Sequence, residues 1–349
     1  MGGELTEREK TVLHYVVHDF IETATPIGSR FISRRHGDVL GLRPASIRNV
    51  MADLEHLGYI DHPYPSAGRV PTDVGYRFYL DSLMRKEKLT DSEIEAIRKN
   101  LGVADETDEL LRETSRLLGR ISHQIFVVTS PRLGSGTLEK LEIIPLVSNR
   151  IMVILSIKSG LVRTVMMEVA TEIQREKLED LARFLNERLG GLTLQEIRET
   201  FHDRVRDAEQ EETGLIRLFI DSVDKVFPYG NLARVHIGGA DQVIEQPEFV
   251  NPEDFRSVIE LINDEEMIIH ILQKNEAAPH QVKVRVGVEN EEEKLKAFSV
   301  ITSTYTIGDM AGSVGVIGPK RMHYARMIPL VDYVSKVISD LFQTNQKHS

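Results

Sequence analysis

The sequence predicts an α+β protein of more than one domain, on three observations. The chain has 349 residues, where one domain takes roughly 150. Apolar residues recur at helical spacing near the start, followed by a short stretch punctuated by Pro and Gly. Further along, β-branched runs lie on both sides of a helix-rich segment, as in a sheet domain carrying an insertion.

Hydrophobic residues make up 41% and charged residues 28% of the chain, ordinary globular values. A chain of this length forms a core without a metal or disulfide staple. It contains no cysteine, which removes disulfides, thiolate nucleophiles and Cys-ligated zinc and suits a reducing, cytoplasmic setting. No apolar stretch approaches the ~20 residues that span a bilayer, and the start lacks the charged-then-apolar pattern of a secretory leader. Met1-Gly2-Gly3-Glu4-Leu5-Thr6 fits a myristoylation pattern. It reads as coincidence, because one acyl chain anchors marginally and no polybasic segment follows. No membrane partner is expected.

The net charge of −11 repels nucleic acid on average, so binding to DNA has to rest on a local patch. Residues 28–51 supply one: Arg30, Arg34, Arg35, Arg43 and Arg48 stand against Asp38 alone. Every cation there is Arg, the residue suited to bidentate phosphate or guanine contacts. A charge cluster by itself is more often a solvated face, so the surrounding pattern decides.

Thr6-Glu7-Arg8-Glu9 reads as a capping box. Leu13, Val16, Val17 and Phe20 continue the helix to about Glu22, and Thr25-Pro26 ends it. A short helix follows over 28–35, with Gly37 and Gly41 marking a turn region. Pro44 suits the first position of a third helix, where its missing N–H is not needed. In that helix Ile47, Val50, Met51 and Leu54 form the apolar stripe. The opposite face is Ala45, Asn49, Ala52 and His56, flanked by Ser46 and Arg48. Asn49 can bond an adenine edge, Arg48 can reach guanine or phosphate, and Ala45 can meet a thymine methyl. Pro63, Pro65 and Gly68 then exclude a helix or central strand, which leaves a short ribbon with Arg69 near its tip. Thr72 caps a helix from about Asp73. Three helices and a ribbon read as a winged helix-turn-helix. Ser29, Arg30 and Arg69 are placed to hold the phosphate backbone, and Arg43 adds a cation beside the third helix. A three-helix packing unit with an ordinary exposed face remains open on this pattern, as does a surface-loop role for Arg69.

Residues 89–119 read as polar helix with a second capping box at Thr90-Asp91-Ser92-Glu93. Residues 121–128 are an apolar β-branched run, and 131–136 a loop. Strands are predicted over 141–145, 151–157 and 162–169, with Lys158-Ser159-Gly160 as a hairpin turn. Helices follow over 177–189, 194–201 and 215–226, the last ended by Pro228-Tyr229-Gly230-Asn231. A strand over 235–237 and a helix over 252–262 come next. Strands are predicted over 267–272, 282–288, 298–306 and 312–317, then a final helix over 331–342 that Pro329 starts or kinks. The insertion falls at about 172–249. It carries an acidic segment over 209–212 beside apolar helices that suit a dimer surface or packing within one chain.

The stretch Pro44-Ala45-Ser46-Ile47-Arg48-Asn49-Val50-Met51-Ala52-Asp53-Leu54 resembles the recognition segment of the bacterial heat-inducible transcription repressor HrcA family. Ser66-Ala67-Gly68-Arg69-Val70-Pro71-Thr72 and Gly75-Tyr76-Arg77-Phe78-Tyr79-Leu80-Asp81 resemble its wing and linker helix. Ser299-Val300-Ile301-Thr302-Ser303-Thr304-Tyr305 and Gly312-Ser313-Val314-Gly315-Val316-Ile317-Gly318-Pro319-Lys320-Arg321-Met322 are similar to its C-terminal signature. The motifs fall in family order and span nearly the whole chain. The resemblance implies a winged-helix DNA-binding domain at 1–85 and linker helices with the first part of a GAF-like domain at 86–171. It implies an inserted dimerisation domain at 172–249 and the second part of the GAF-like domain at 250–349. It further implies a homodimeric repressor of chaperone operons that binds the CIRCE inverted repeat in double-stranded DNA, is relieved on heat stress and is supported by the GroEL chaperonin. Family members often carry Ser where Arg43 stands, so the side-chain cap of the third helix is expected to be missing.

No enzyme chemistry is legible, and neither a cofactor nor a metal is expected. Gly312-x-x-Gly315-x-x-Gly318 has the wrong spacing for a dinucleotide loop and reads as tight packing. His14 and His18 share a helix face without a third ligand and read as a solvated or boundary pair. Glu291-Glu292-Glu293 reads as a solvated turn or helix start. Two other readings stand beside the repressor. A small ligand could act on the GAF-like domain through Ser299, Thr302, Ser303 and Tyr305, or the N-terminal module could bind protein rather than DNA.

Overall fold

The computed structural model describes residues 5–345 apart from 65–66, 102–106, 147–148, 171–172, 209–213, 228–233, 250 and 275–278. The acylation motif's first four residues, Pro65-Ser66, the acidic segment 209–212 and Pro228-Tyr229-Gly230-Asn231 lie outside the described residues. The chain begins with α1 (Glu7–Thr23), α2 (Ser29–Leu40), α3 (Pro44–His56), β1 (Ile60–Asp61), β2 (Val70–Pro71), α4 (Asp73–Phe78), α5 (Asp91–Leu101) and α6 (Thr107–Ser122). It continues with β3 (Ile125–Thr129), β4 (Leu138–Leu146), β5 (Arg150–Ile157), β6 (Val162–Glu168), α7 (Arg175–Leu189), α8 (Leu194–Val205), α9 (Leu215–Asp221), α10 (Val223–Val226) and β7 (Val235–Gly238). Then come α11 (Ala240–Ile244), α12 (Pro252–Asn263), α13 (Glu265–Lys274), β8 (Lys283–Val286), β9 (Phe298–Ile307), β10 (Met310–Pro319) and α14 (Tyr324–Asn345). The fold is thus mixed α and β. Strands form a β1-β2 ribbon, a five-stranded sheet ordered β7-β3-β10-β9-β8 and a three-stranded sheet ordered β4-β5-β6. Among the described residues no helix is long and apolar enough to cross a membrane.

Two compact units divide the chain. The first comprises Met1–Val128, Ile237–Ser303 and Val314–Val334. Its N-terminal part is held by Val12, Leu13, Val16 and Val17 of α1 against Ile32 of α2 and Ile47, Val50, Met51 and Leu54 of α3, all buried. The α1 capping box forms as expected: Thr6 Oγ1 accepts the Glu9 N–H at 3.3 Å, and Glu9 accepts the Thr6 N–H at 2.7 Å. The second helix runs five residues further than predicted, with Gly37 inside it. It ends at Gly41, whose φ of 62° admits a left-handed cap.

Within the same unit, β3 and β10 pair antiparallel over Val314↔Val128 to Ile317↔Ile125. Helix α6 lies close to the end of β7, because a Cβ at Gly119 would fall 2.3 Å from Gly239 N. Pro329 sits inside α14 rather than at its start. Its missing N–H leaves the Ala325 carbonyl without a helical donor, and the Glu87 N–H donates to that carbonyl at 2.9 Å instead.

The second unit comprises Thr129–His236, Thr304–Ser313 and Ser335–Ser349. Helix α7 buries Leu178, Leu181, Leu185 and Leu189. Asn186 faces strand β4: its Oδ1 accepts the Leu141 N–H and its Nδ2 donates to the Leu141 carbonyl, both at 2.7 Å. The compact unit starts at Thr129. Strands β4–β6 therefore group with the helices that follow them.

Two predicted elements change. Residues 267–272 were expected as a strand and form helix α13. Asp264 Oδ1 accepts the Met267 N–H at 3.0 Å, Glu265 and Glu266 favour the positive helix start, and Ile268, Ile271 and Leu272 are buried at helical spacing. The cap and the 3.6 period outweigh the β propensity of Ile. The helix expected over 215–226 breaks at Ser222 into α9 and α10.

Gly119→Ala is expected to destabilise the protein by about 1–3 kcal/mol through overpacking against the backbone at Gly239. A lowered melting temperature against the parent checks this, and an unchanged one would contradict the close approach.

Candidate nucleic-acid interface

Helix α3 sets the geometry. Pro44 takes its first position, and Arg43 precedes it in extended conformation with no side-chain cap hydrogen bond, as expected for a residue that cannot accept one. With the stripe from Ile47 to Leu54 buried, Ala45, Arg48, Asn49, Ala52 and His56 are exposed and Ser46 is half-buried. At the start of α2, Ser29 is buried and Arg30 exposed. Ser29, Arg30, Arg48 and Arg69 line one cleft of about 280 Å³ together with Met51 and Gly68. Arg43, Ala45, Ser46 and Asn49 lie outside that lining.

The ribbon is fixed to this cleft through its backbone. Ile27 and Arg69 exchange N–H···O bonds of 2.9 and 2.8 Å. A Cβ at Gly68 would lie 2.6 Å from the Ile27 and Pro26 backbone, so glycine is required there. Arg69 does not project freely. Its Nε and Nη2 donate to Glu55 Oε2 of α3 at 2.8 and 2.7 Å, and His62 Nδ1 also bonds Glu55. Potential ligand atoms of Glu55, Asp61 and His62 lie within 4.8 Å of one another, but Glu55 is committed to the Arg69 guanidinium.

The basic patch is smaller than the sequence implied. Arg35 lies 3.3 Å from Asp19 of α1. Asp19 is fully buried, accepts from His36 Nε2 at 2.9 and 3.0 Å and has His18 Nδ1 at 3.6 Å. Burial pushes the Asp19 carboxyl upward. The contact with His18, the hydrogen bonds from His36 and the nearby positive charges outweigh that and hold it below the ordinary carboxylate range. The contact with Asp19 raises His18 against burial, while burial lowers His14. Among the described residues, Arg30, Arg34, Arg43 and Arg48 have no carboxylate partner, and they form the available positive charge. Sequence reasoning missed Asp19; its place on the buried side of an otherwise apolar helical stripe was the available signal.

Two of the hydroxyls considered for a ligand are bound within the protein. Ser299 bonds the Tyr324 hydroxyl at 2.6 Å, and Tyr305 donates to the Thr129 carbonyl at 2.6 Å. These hydroxyls are thus committed within the protein. Cβ atoms at Gly312, Gly315 and Gly318 would crowd Tyr305, Ile301 and Gln124 respectively, which is the packing role expected of that motif. His14 stacks on Tyr79 with ring centres 5.6 Å apart.

Residues 108–328 match the family model described as the HrcA protein C terminal domain. A heat-inducible transcription repressor HrcA of Chlorobium phaeobacteroides (strain BS1) is 39% identical over 97% of this chain and 99% of its own length. The repressor of the same name from Prosthecochloris aestuarii is 39% identical over 97% of this chain and 98% of its own. A solved crystal structure of a hypothetical protein is similar in fold, with a TM-score of 0.62 and 22% identity over 98% of this chain and 99% of its own.

The buried carboxylate makes stability depend on pH. Because the Asp19 pKa is depressed in the fold, its contribution is present above the unfolded carboxylate value of about 4 and is lost as pH falls through the folded value. The raised His18 contributes below about pH 6.5 and loses that contribution as pH rises through its folded value. Asp19→Asn should cost about 3–5 kcal/mol at neutral pH, since it strips the partner from a buried ionic cluster, and should flatten both limbs. Denaturation from pH 3 to 9 measures this; parallel parent and variant curves would contradict it.

Proposed function

The chain belongs to the heat-inducible transcription repressor HrcA family, negative regulators of heat-shock genes, and from that premise we propose how it represses them. Residues 1–85 act as a winged helix-turn-helix on the CIRCE inverted repeat. Helix α3 lies in the major groove, with Ser46, Arg48 and Asn49 toward the bases or adjacent phosphates and Ala45 toward a thymine methyl. Ser29, Arg30 and Arg43 hold the backbone. Arg69 contributes from the ribbon with its charge shared with Glu55, so its main effect is to fix ribbon against helix. The observation that carries this reading is the cleft lined by Arg30 and Arg48, both exposed and without carboxylate partners among the described residues, with Asn49 exposed on the same helix as Arg48.

Two such modules on a homodimer match two inverted half-sites. The dimer forms through the inserted segment at 172–249, and the parts at 86–171 and 250–349 make a GAF-like domain. Bound repressor blocks initiation sterically in the cytoplasm and involves neither catalysis nor a cofactor. The GroEL chaperonin supports the DNA-binding form, and its occupation by unfolded clients during heat stress lowers repressor activity.

Binding to a labelled CIRCE duplex, against a scrambled duplex and across a salt series, tests the reading. Specific binding with a steep salt slope supports it. No preference from folded dimer, with or without chaperonin, overturns it. Arg48→Ala and Asn49→Ala should each cost about 1–3 kcal/mol of specific binding, whereas Arg30→Ala should weaken all sequences alike and reduce the salt slope by about 1. Losses below a few tenths of a kcal/mol for Arg48 and Asn49 would remove them from the reading surface.

A further inference from the structure

The C-terminal motif around Lys320 and the linker helix α4 both belong to the first compact unit, and they meet. Lys320 Nζ bonds Asp73 Oδ1 at 2.6 Å, while Asp73 Oδ2 accepts the Val288 N–H at 2.9 Å. One turn along α4, Arg77 Nε donates to Glu289 Oε1 at 2.7 Å and Nη2 donates to the Val284 carbonyl at 2.8 Å. The residue after Lys320 reaches a different helix: Arg321 Nη1 donates to the Ile21 carbonyl at 2.7 Å. That carbonyl is one of the last four of α1, which have no donor within the helix, and α1 carries no cation in its own last turn. Arg321 is held in turn by Glu248.

These ties reach two helices of the N-terminal module, α1 and α4. One tie leaves rotation about a point, and two along a single helix leave a hinge about that helix. A third on another helix removes the hinge. Partly exposed ion pairs add little to stability, yet a forked guanidinium on a carboxylate is strongly directional. Without such ties, modules joined by a modest interface move relative to each other by default. Space is reserved for the contact as well: a Cβ at Gly287, whose φ is 53°, would lie 2.0 Å from Asp73 Oδ2.

We propose that Asp73, Arg77, Lys320 and Arg321 form a latch that fixes the angle at which α3 is presented, and so act as positioning residues for reading two half-sites at a set separation. This rests on the operator reading above.

The test uses full-length protein with Arg77→Met, Lys320→Met and Arg321→Met, singly and combined, and Lys320→Arg as the conservative variant. On a duplex with one half-site, affinity should stay within twofold of the parent. On the inverted repeat it should fall tenfold or more in the combined variant, with the preference for natural half-site spacing flattened, and Lys320→Arg should hold the parent's values. Equal loss on both duplexes would make the latch a local structural element and overturn the proposal, as would unchanged spacing preference in folded protein. A second arm needs no DNA. The chain has no cysteine, so spin labels at Val39→Cys of α2 and Glu260→Cys of α12, both exposed, are unique. With labelled chains diluted in unlabelled ones, a narrow distance distribution in the parent should broaden in the combined variant. An unchanged distribution sinks the latch. Should the parent fail to prefer the repeat, the operator reading falls while this arm still decides the latch.

Discussion

Burial of the apolar stripe on α3 is the constraint on which the functional surface depends. Ile47, Val50, Met51 and Leu54 are driven against α1 and α2 by removal of apolar area from water. At 100° per residue this leaves Arg48, Asn49 and Ala52 no direction except outward. The outer face of α3, the proposed recognition face, is therefore not held by contacts of its own. It is the complement of a core, and any change that lets α3 roll in its seat moves the outer side chains with it. The backbone exchange between Ile27 and Arg69 and the Glu55–Arg69 pair oppose that roll from the ribbon side.

An acidic chain can carry the proposed DNA-binding surface because its cations differ in what faces them. Arg35 and Arg69 are neutralised by Asp19 and Glu55 and serve as ties within the module. Arg30, Arg34, Arg43 and Arg48 stand on the exposed side without carboxylate partners among the described residues. Repulsion from distant carboxylates is screened within about 8–10 Å at physiological salt, so the field near α3 is set by these local cations rather than by the net charge.

What the sequence made legible was the part governed by near neighbours. The Thr6 capping box, Pro44 at the start of α3, the buried stripe and the Thr72 cap all follow from residues within about one turn of each other, and each was located to within a residue or two. Residues 267–272 were misread because a β-branched run was weighed without the Asp264 cap just before it. Arg69 was read as a reaching cation because its acid lies fourteen positions earlier, on a helix whose facing only the fold determines. Lys320 and Arg321 could be quoted as part of a motif, yet nothing local shows that they hold helix ends 247 and 300 positions away.

Those separations have a consequence for how the protein is made. Ribosomes add roughly 5–20 residues per second, so α4 emerges some 12–50 seconds before its partner at Lys320. Throughout that interval the N-terminal module has its helices, its ribbon and its outward arginines, and Arg77 meets Glu289 first, but the proposed latch is incomplete until Lys320 and Arg321 arrive. On the proposed latch, a nascent or truncated chain can hold its reading head without the angle a working repressor needs. Competence then arrives with the last tenth of the polypeptide, and completion of synthesis becomes a checkpoint on repression.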